Sequence, residues 1–232
     1  MAIQLKPDNV AASEMDRLPV LRALLRDATR AAHHRIDHHP MLAPLLRPGL
    51  GWAQYLLVLK VFLDFYAALQ PCLMTALERL PGAPGGYVLA DRIAWLQQDL
   101  LDLADKAADA ASVARLDHAG LTNVRWLLPT LTQASALAGA LYVVEGSALG
   151  GLVIAKQLHA TLGVDANRGA RFFNGWGDAT HQKWDSYWQF AASICPFGAQ
   201  VQAAEAAASV FEALAQGLDA AWAMQSEELV YE

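Results

Sequence analysis

The chain has 232 residues, 55% of them hydrophobic and 17% charged, with a formal net charge of −6. That length holds one domain or at most two around a sizeable core, and the balance excludes a disordered chain. No basic run interleaved with aromatics is present, so nucleic acid is excluded as an expected partner.

Residues 1–15 read as a flexible tail ahead of one helical domain over 16–232. Leu18, Leu21, Leu25, Ala28, Ala32 and Ile36 recur at helical spacing. Pro19 is tolerable in a first turn and Pro40 ends the run, which predicts a helix over 17–38. Pro44, Pro48, Gly49 and Gly51 permit only a short turn. A long apolar run from Trp52 to about Leu80 predicts a second helix, kinked or split at Pro71. Pro81-Gly82-Ala83-Pro84-Gly85-Gly86 is a loop. Helical patterns return over 91–105, about 133–162 and 180–194, and from beyond Pro196-Phe197-Gly198 to about Met224. With no β-alternation and no fixed repeat, the expected fold class is all-α, a single-domain multi-helix bundle.

The stretch from Leu141 to Lys156 organises the rest, because it reads as helix yet carries Gly146, Gly150 and Gly151. Each interior glycine costs about 1 kcal/mol of helix preference. Gly146 and Gly150, four apart, share a bare face that suits either close helix packing or a flat ligand. The segment 134–155 is apolar apart from Ser135, Glu145 and Ser147, long enough to span a bilayer. Glu145 near its middle, and no flanking basic clusters, predict a buried core helix and no membrane span. Residues 1–18 lack the apolar core of a signal peptide. Cys72 and Cys195 fit no C-x-x-C spacing, so a reduced, cytoplasmic setting is expected.

Common catalytic motifs are missing from the sequence: no H-E-x-x-H, no P-loop, no G-x-G-x-x-G after a strand, and no Glu-x-x-His pairs for a di-iron centre. Ser147 does not sit in a G-x-S-x-G elbow. Of seven histidines, His38-His39 beside Pro40 reads as a solvated helix end. His33 belongs to a polar stripe with Arg26, Thr29 and Asp37 on one side of the first helix. The stripe is either structural, or a ligand site in which His33 supplies one metal ligand, Asp37 fixes its ring and Arg26 meets an anion. One protein nitrogen on iron implies a macrocycle for the remaining ligands, and a bare glycine face opposite it suits haem.

Ala28-Thr29-Arg30-Ala31-Ala32-His33-His34-Arg35-Ile36-Asp37 resembles the proximal helix of the haem oxygenase family, T-x-x-x-H-x-x-L-D/E, with Ile36 for the leucine. The glycine-bearing stretch is similar to that family's distal helix, closest to the bacterial biliverdin-forming branch that accompanies bacteriophytochromes. Phe172-Phe173-Asn174-Gly175-Trp176-Gly177 resembles its F-F-x-x-Y-G segment, with Trp176 for the tyrosine. The resemblance covers nearly the whole chain.

It implies His33 as axial iron ligand, with Asp37 behind it; His34 is one residue off the pattern. Gly146, Ser147 and Gly150 would lie over the haem. Arg26, Thr29, Tyr142, Phe173, Phe211 and Leu214 would hold it. The distal aspartate of the animal enzymes is missing, and Lys183 is a weak second propionate partner. The implied activity is oxidative cleavage of haem, both cofactor and substrate, to biliverdin with release of carbon monoxide and ferrous iron. It would use O2 and no other metal. Expected partners are an electron donor such as a ferredoxin or flavin reductase system or a small reductant, and a biliverdin-accepting phytochrome. The rival readings are a haem carrier or sensor without turnover and a structural helical interaction module. A thiaminase-like relative is disfavoured, because no matching cysteine and carboxylate arrangement surrounds either cysteine.

Overall fold

The computed structural model describes residues 8–80, 87–109 and 124–228, and in them the chain is a bundle of α-helices with no strand. The loop expected over 81–86 and His118 lie outside the described residues. The first helix, α1, is Asp8–Asp37, so the part of the expected tail that is described is already helical and Pro19 lies inside the helix rather than in its first turn. A 3-10 turn, Ala43–Leu46, leads to α2, Trp52–Glu78. Pro71 does not split α2: the helix continues through it, with one backbone N–H fewer.

Asp91 caps α3 (Arg92–Asp102) by accepting the Ala94 N–H at 3.0 Å, satisfying one of the donors a helix start leaves open. A short α4 (Ala104–Asp109) follows. The glycine-bearing segment is α5, Ala134–Leu162, and it ends at Gly163, whose φ of 70° only glycine adopts freely and whose N–H returns to the His159 carbonyl. Then come α6 (Arg171–Asn174), α7 (Thr180–Ile194) and α8 (Gln200–Glu228).

The core lies where α5 and α1 both pack on α8 and α2 closes the other side. Leu21, Leu25, Tyr55, Leu59, Leu137, Leu141, Tyr187 and Val210 are all buried there. Two glycines of α5 allow close approach of backbone to backbone. A Cβ on Gly139 would overlap the Ala203 carbonyl of α8, and one on Gly151 would stand 2.6 Å from the Phe173 carbonyl oxygen of α6. Both α2 and α5 are long and apolar enough to cross a membrane, and about half of each apolar window (56% and 50%) is buried inside the bundle.

Candidate haem site

A slot of about 310 Å³ opens between the C-terminal part of α1 and the middle of α5. His33, Ile36 and Asp37 line it from α1, and Tyr142 to Val144 and Gly146 to Gly151 line it from α5. Phe62, Phe65 and Tyr66 of α2, Phe172 and Phe173 of α6, and Phe211 and Leu214 of α8 complete a largely apolar wall.

On the α1 side, His33 Nδ1 lies 2.8 Å from Asp37 Oδ2, an i to i+4 pair that one helical turn brings together. With the proton on Nδ1 and shared with that carboxylate, the lone pair belongs to Nε2, the arrangement a metal-ligating imidazole needs. The Phe211 ring, 5.6 Å away, flanks the imidazole. His34 does not share the slot; it stacks on His38 at 4.2 Å on the exposed side of α1.

On the α5 side, the glycines divide by role. Gly139 and Gly151 are packing residues. A Cβ on Gly150 would meet nothing within 4 Å, and one on Gly146 would meet only the Trp184 ring, at 3.4 Å. The face they share is therefore bare toward the slot. Ser147 stands between them, its hydroxyl donating to the Val144 carbonyl at 2.8 Å.

An open cleft shares Tyr142 and Trp184 with the slot and carries Arg22, Arg26 and Trp188. Arg26 is exposed and paired with Asp27, whereas Arg22 lies over the Trp188 ring at 4.7 Å. Arg22 is one turn before Arg26 and was not singled out in the sequence, although the i, i+4 spacing was there to find. Thr29 does not reach the slot: it is buried, and its hydroxyl donates to the Leu25 carbonyl at 2.8 Å. It neighbours Tyr142 instead, where burial raises the phenol pKa against the Thr29 hydrogen bond and the Arg26 charge. Lys183 lies over the Trp176 ring at 4.3 Å, and neither residue lines the slot.

The Phe172-Phe173 wall is hung from one buried carboxylate. Asp99 accepts the backbone N–H groups of Arg171 and Phe172, each at 2.8 Å. Burial pushes its pKa up to about 6 in spite of those donors and the nearby Arg171. His39, expected to be solvated, is buried and paired with Asp219 of α8 at 3.2 Å; its pKa is lowered by that burial, against the pull of Asp219.

The residues fit haem on the structure's own terms: one imidazole with its other nitrogen committed to a carboxylate, a glycine face that side chains would fill, aromatic walls, and two arginines in the adjoining cleft. A family model described as Heme oxygenase matches residues 20–218. The chain belongs to the haem oxygenase family. The match spans α1 through most of α8, so it takes in both sides of the slot. A search of curated proteins returned no match. Within a haem oxygenase fold the residues that composition concealed are Tyr66 and Arg92, which also line the slot. Tyr66 was hidden in the apolar run of α2, and Arg92 looked like an ordinary helix-start residue.

Proposed function

We propose that the chain binds haem in the slot between α1 and α5 through His33 and opens it to biliverdin, with release of carbon monoxide and ferrous iron. The reaction consumes O2 and electrons from a ferredoxin or flavin reductase system or a small reductant. It takes place in the cytoplasm, and a phytochrome is a fitting acceptor for the product. The observation that carries this reading is that the His33–Asp37 pair and the bare face at Gly146 and Gly150 line one cavity.

When bound, haem supplies the iron on which oxygen is activated and is itself the carbon skeleton that is cut. The chain's own contribution is geometric. Asp37 holds the His33 ring in one orientation and makes its free nitrogen a better donor. Gly146 and Gly150 keep side chains away from the opposite face, so a ligand can lie against backbone. Arg22 and Arg26 would offer positive charge to the propionate edge of a bound haem. Phe172, Phe173, Phe211 and Leu214 exclude water from its apolar body.

Reconstitution with hemin followed by reductant under air tests the reading. Loss of the haem spectrum with appearance of biliverdin, its isomer read by chromatography, is expected. A stable haem spectrum with no biliverdin would make the chain a carrier or sensor.

A further inference from the structure

The aromatic wall made by Phe172 and Phe173 has little structure of its own to stand on. Helix α6, which carries both rings, is four residues long, Arg171–Asn174. A single turn of helix does not hold itself in place, so its position comes from what it is tied to. Ala170, just before the turn, supplies no side-chain cap. The N–H groups of Arg171 and Phe172 go instead to Asp99 of α3, 72 residues from Arg171, one to each carboxylate oxygen and each at 2.8 Å.

That carboxylate is 0% exposed. A polar side chain at position 170 could meet a donor of this turn without burying a charge. Asp99 costs more, and it does what a local cap cannot, which is to tie the turn to another helix. Its place on α3 is the informative part. Asp99 lies one helical turn beyond Trp95, which lines the slot, while Asp99 itself does not. On the other side the Phe173 carbonyl rests against Gly151 of α5. The turn is thus held between α3 and α5, and its rings reach the slot, with Phe172 5.2 Å from the Phe62 ring and 5.5 Å from the Tyr66 ring.

We infer that Asp99 is a positioning residue for haem: through the N–H groups of Arg171 and Phe172 it sets how closely the Phe172-Phe173 wall approaches the slot, and with that how firmly the slot retains its ligand. This rests on the haem reading of the slot. The carboxylate touches no ligand, and the Phe172 ring transmits its effect.

The test is a double-mutant cycle on the hemin-loaded full chain, read as the rate of haem transfer to an excess of apomyoglobin. Asp99→Asn keeps the shape of the side chain but turns one acceptor into a donor facing an N–H group. In the parent background it should speed haem loss about tenfold, the effect of one hydrogen bond to a charged group. In a Phe172→Ala background, where the ring that transmits the effect is gone, it should change the rate less than about twofold. Circular dichroism in the Soret band, which reports coupling of the macrocycle to the aromatic rings around it, should change in Asp99→Asn while the absorption spectrum of the His33-ligated haem does not. Equal acceleration in both backgrounds, or an unchanged rate and Soret dichroism in Asp99→Asn, overturns the inference and leaves the haem reading standing. Failure of the parent chain to bind haem removes both. Should Asp99→Asn not fold, Asp99→Glu, which keeps the charge and both oxygens but carries them one methylene farther, takes its place, with the same cycle and the same outcomes deciding.

Discussion

The separation of the α5 glycines into two roles makes a sharp prediction, because alanine should act in opposite directions at adjacent positions. At Gly150 the new methyl meets nothing within 4 Å. Only helix preference remains, which favours alanine by about 1 kcal/mol and should raise the melting temperature of the ligand-free chain by about 2–4 °C. At Gly151 the methyl would stand 2.6 Å from the Phe173 carbonyl, and backbone rather than a flexible side chain must move. Overpacking of that kind costs about 1–3 kcal/mol, enough to cancel or exceed the helix gain. Gly151→Ala should therefore melt no higher than the parent and up to several degrees lower. Haem binding should rank the variants differently. On the proposed binding mode Gly150→Ala would place a methyl against the macrocycle, and an affinity loss of about tenfold is expected from a displacement worth about 1.4 kcal/mol. Thermal denaturation with and without hemin, and spectral titration with hemin, give both numbers for each variant. If Gly150→Ala melts below the parent, or binds hemin as the parent does, then its bare face is not where the ligand lies and the assignment is wrong.

The other expectations concern the two ends of the site. His33→Ala should lose the axial-ligand spectrum, and Asp37→Asn, which keeps a side chain of the same shape, should weaken haem binding about 10–100-fold, both by spectral titration. Replacing Arg22 and Arg26 together by Ala should weaken binding and flatten its dependence on salt; an unchanged salt dependence would mean that the anionic edge points elsewhere. Asp99 has a folded pKa of about 6 against a reference of 3.8, so between those values the folded chain keeps a proton that the unfolded chain releases. Its contribution to stability therefore falls as pH rises through that window, on the order of 3 kcal/mol in total, and denaturant titrations should show Asp99→Asn without that slope. His39 has the opposite sense. Its folded pKa is lowered, so protonation favours the unfolded chain and stability is lost as pH falls below about 6.5; His39→Asn should remove that part of the acid sensitivity.

How far the sequence could be read depended on the range of the forces that fix each feature. Helix α7 begins and ends where the residues around Thr180 and Pro196 predict, and α5 stops at Gly163, because caps and breakers act within a turn. The start of α1 was missed because Pro19 read as a first-turn marker and the residues before it carry no apolar stripe. His33 and Asp37 were found together since one helical turn couples them. His39 was misjudged since its partner, Asp219, lies 180 residues away. The Arg92–Glu145 pair, 53 residues apart, was equally out of reach of local pattern, and Glu145 entered the sequence reading only as a reason against a membrane span.

The same long-range packing explains how a helix with bare glycines at its centre can hold a fixed face toward the slot. Glycine in mid-helix loosens the backbone, and a face at Gly146 and Gly150 free to bend would blur any geometry over a ligand. Gly139 and Gly151 counter this from either side, the first setting α5 against Ala203 of α8 and the second against Phe173 of α6. Both contacts are backbone to backbone, with no side chain between to yield. Since α8 also packs on α1 and supplies Phe211 beside His33, the distance between the two sides of the slot is set through a third helix. Substitutions at Gly139 or Ala203 that touch no ligand should therefore shift the haem spectrum, whereas equally destabilising changes on the outer face of α7 should not. Equal spectral effects from the two sets would mean that the slot width follows overall stability and not this pair of contacts.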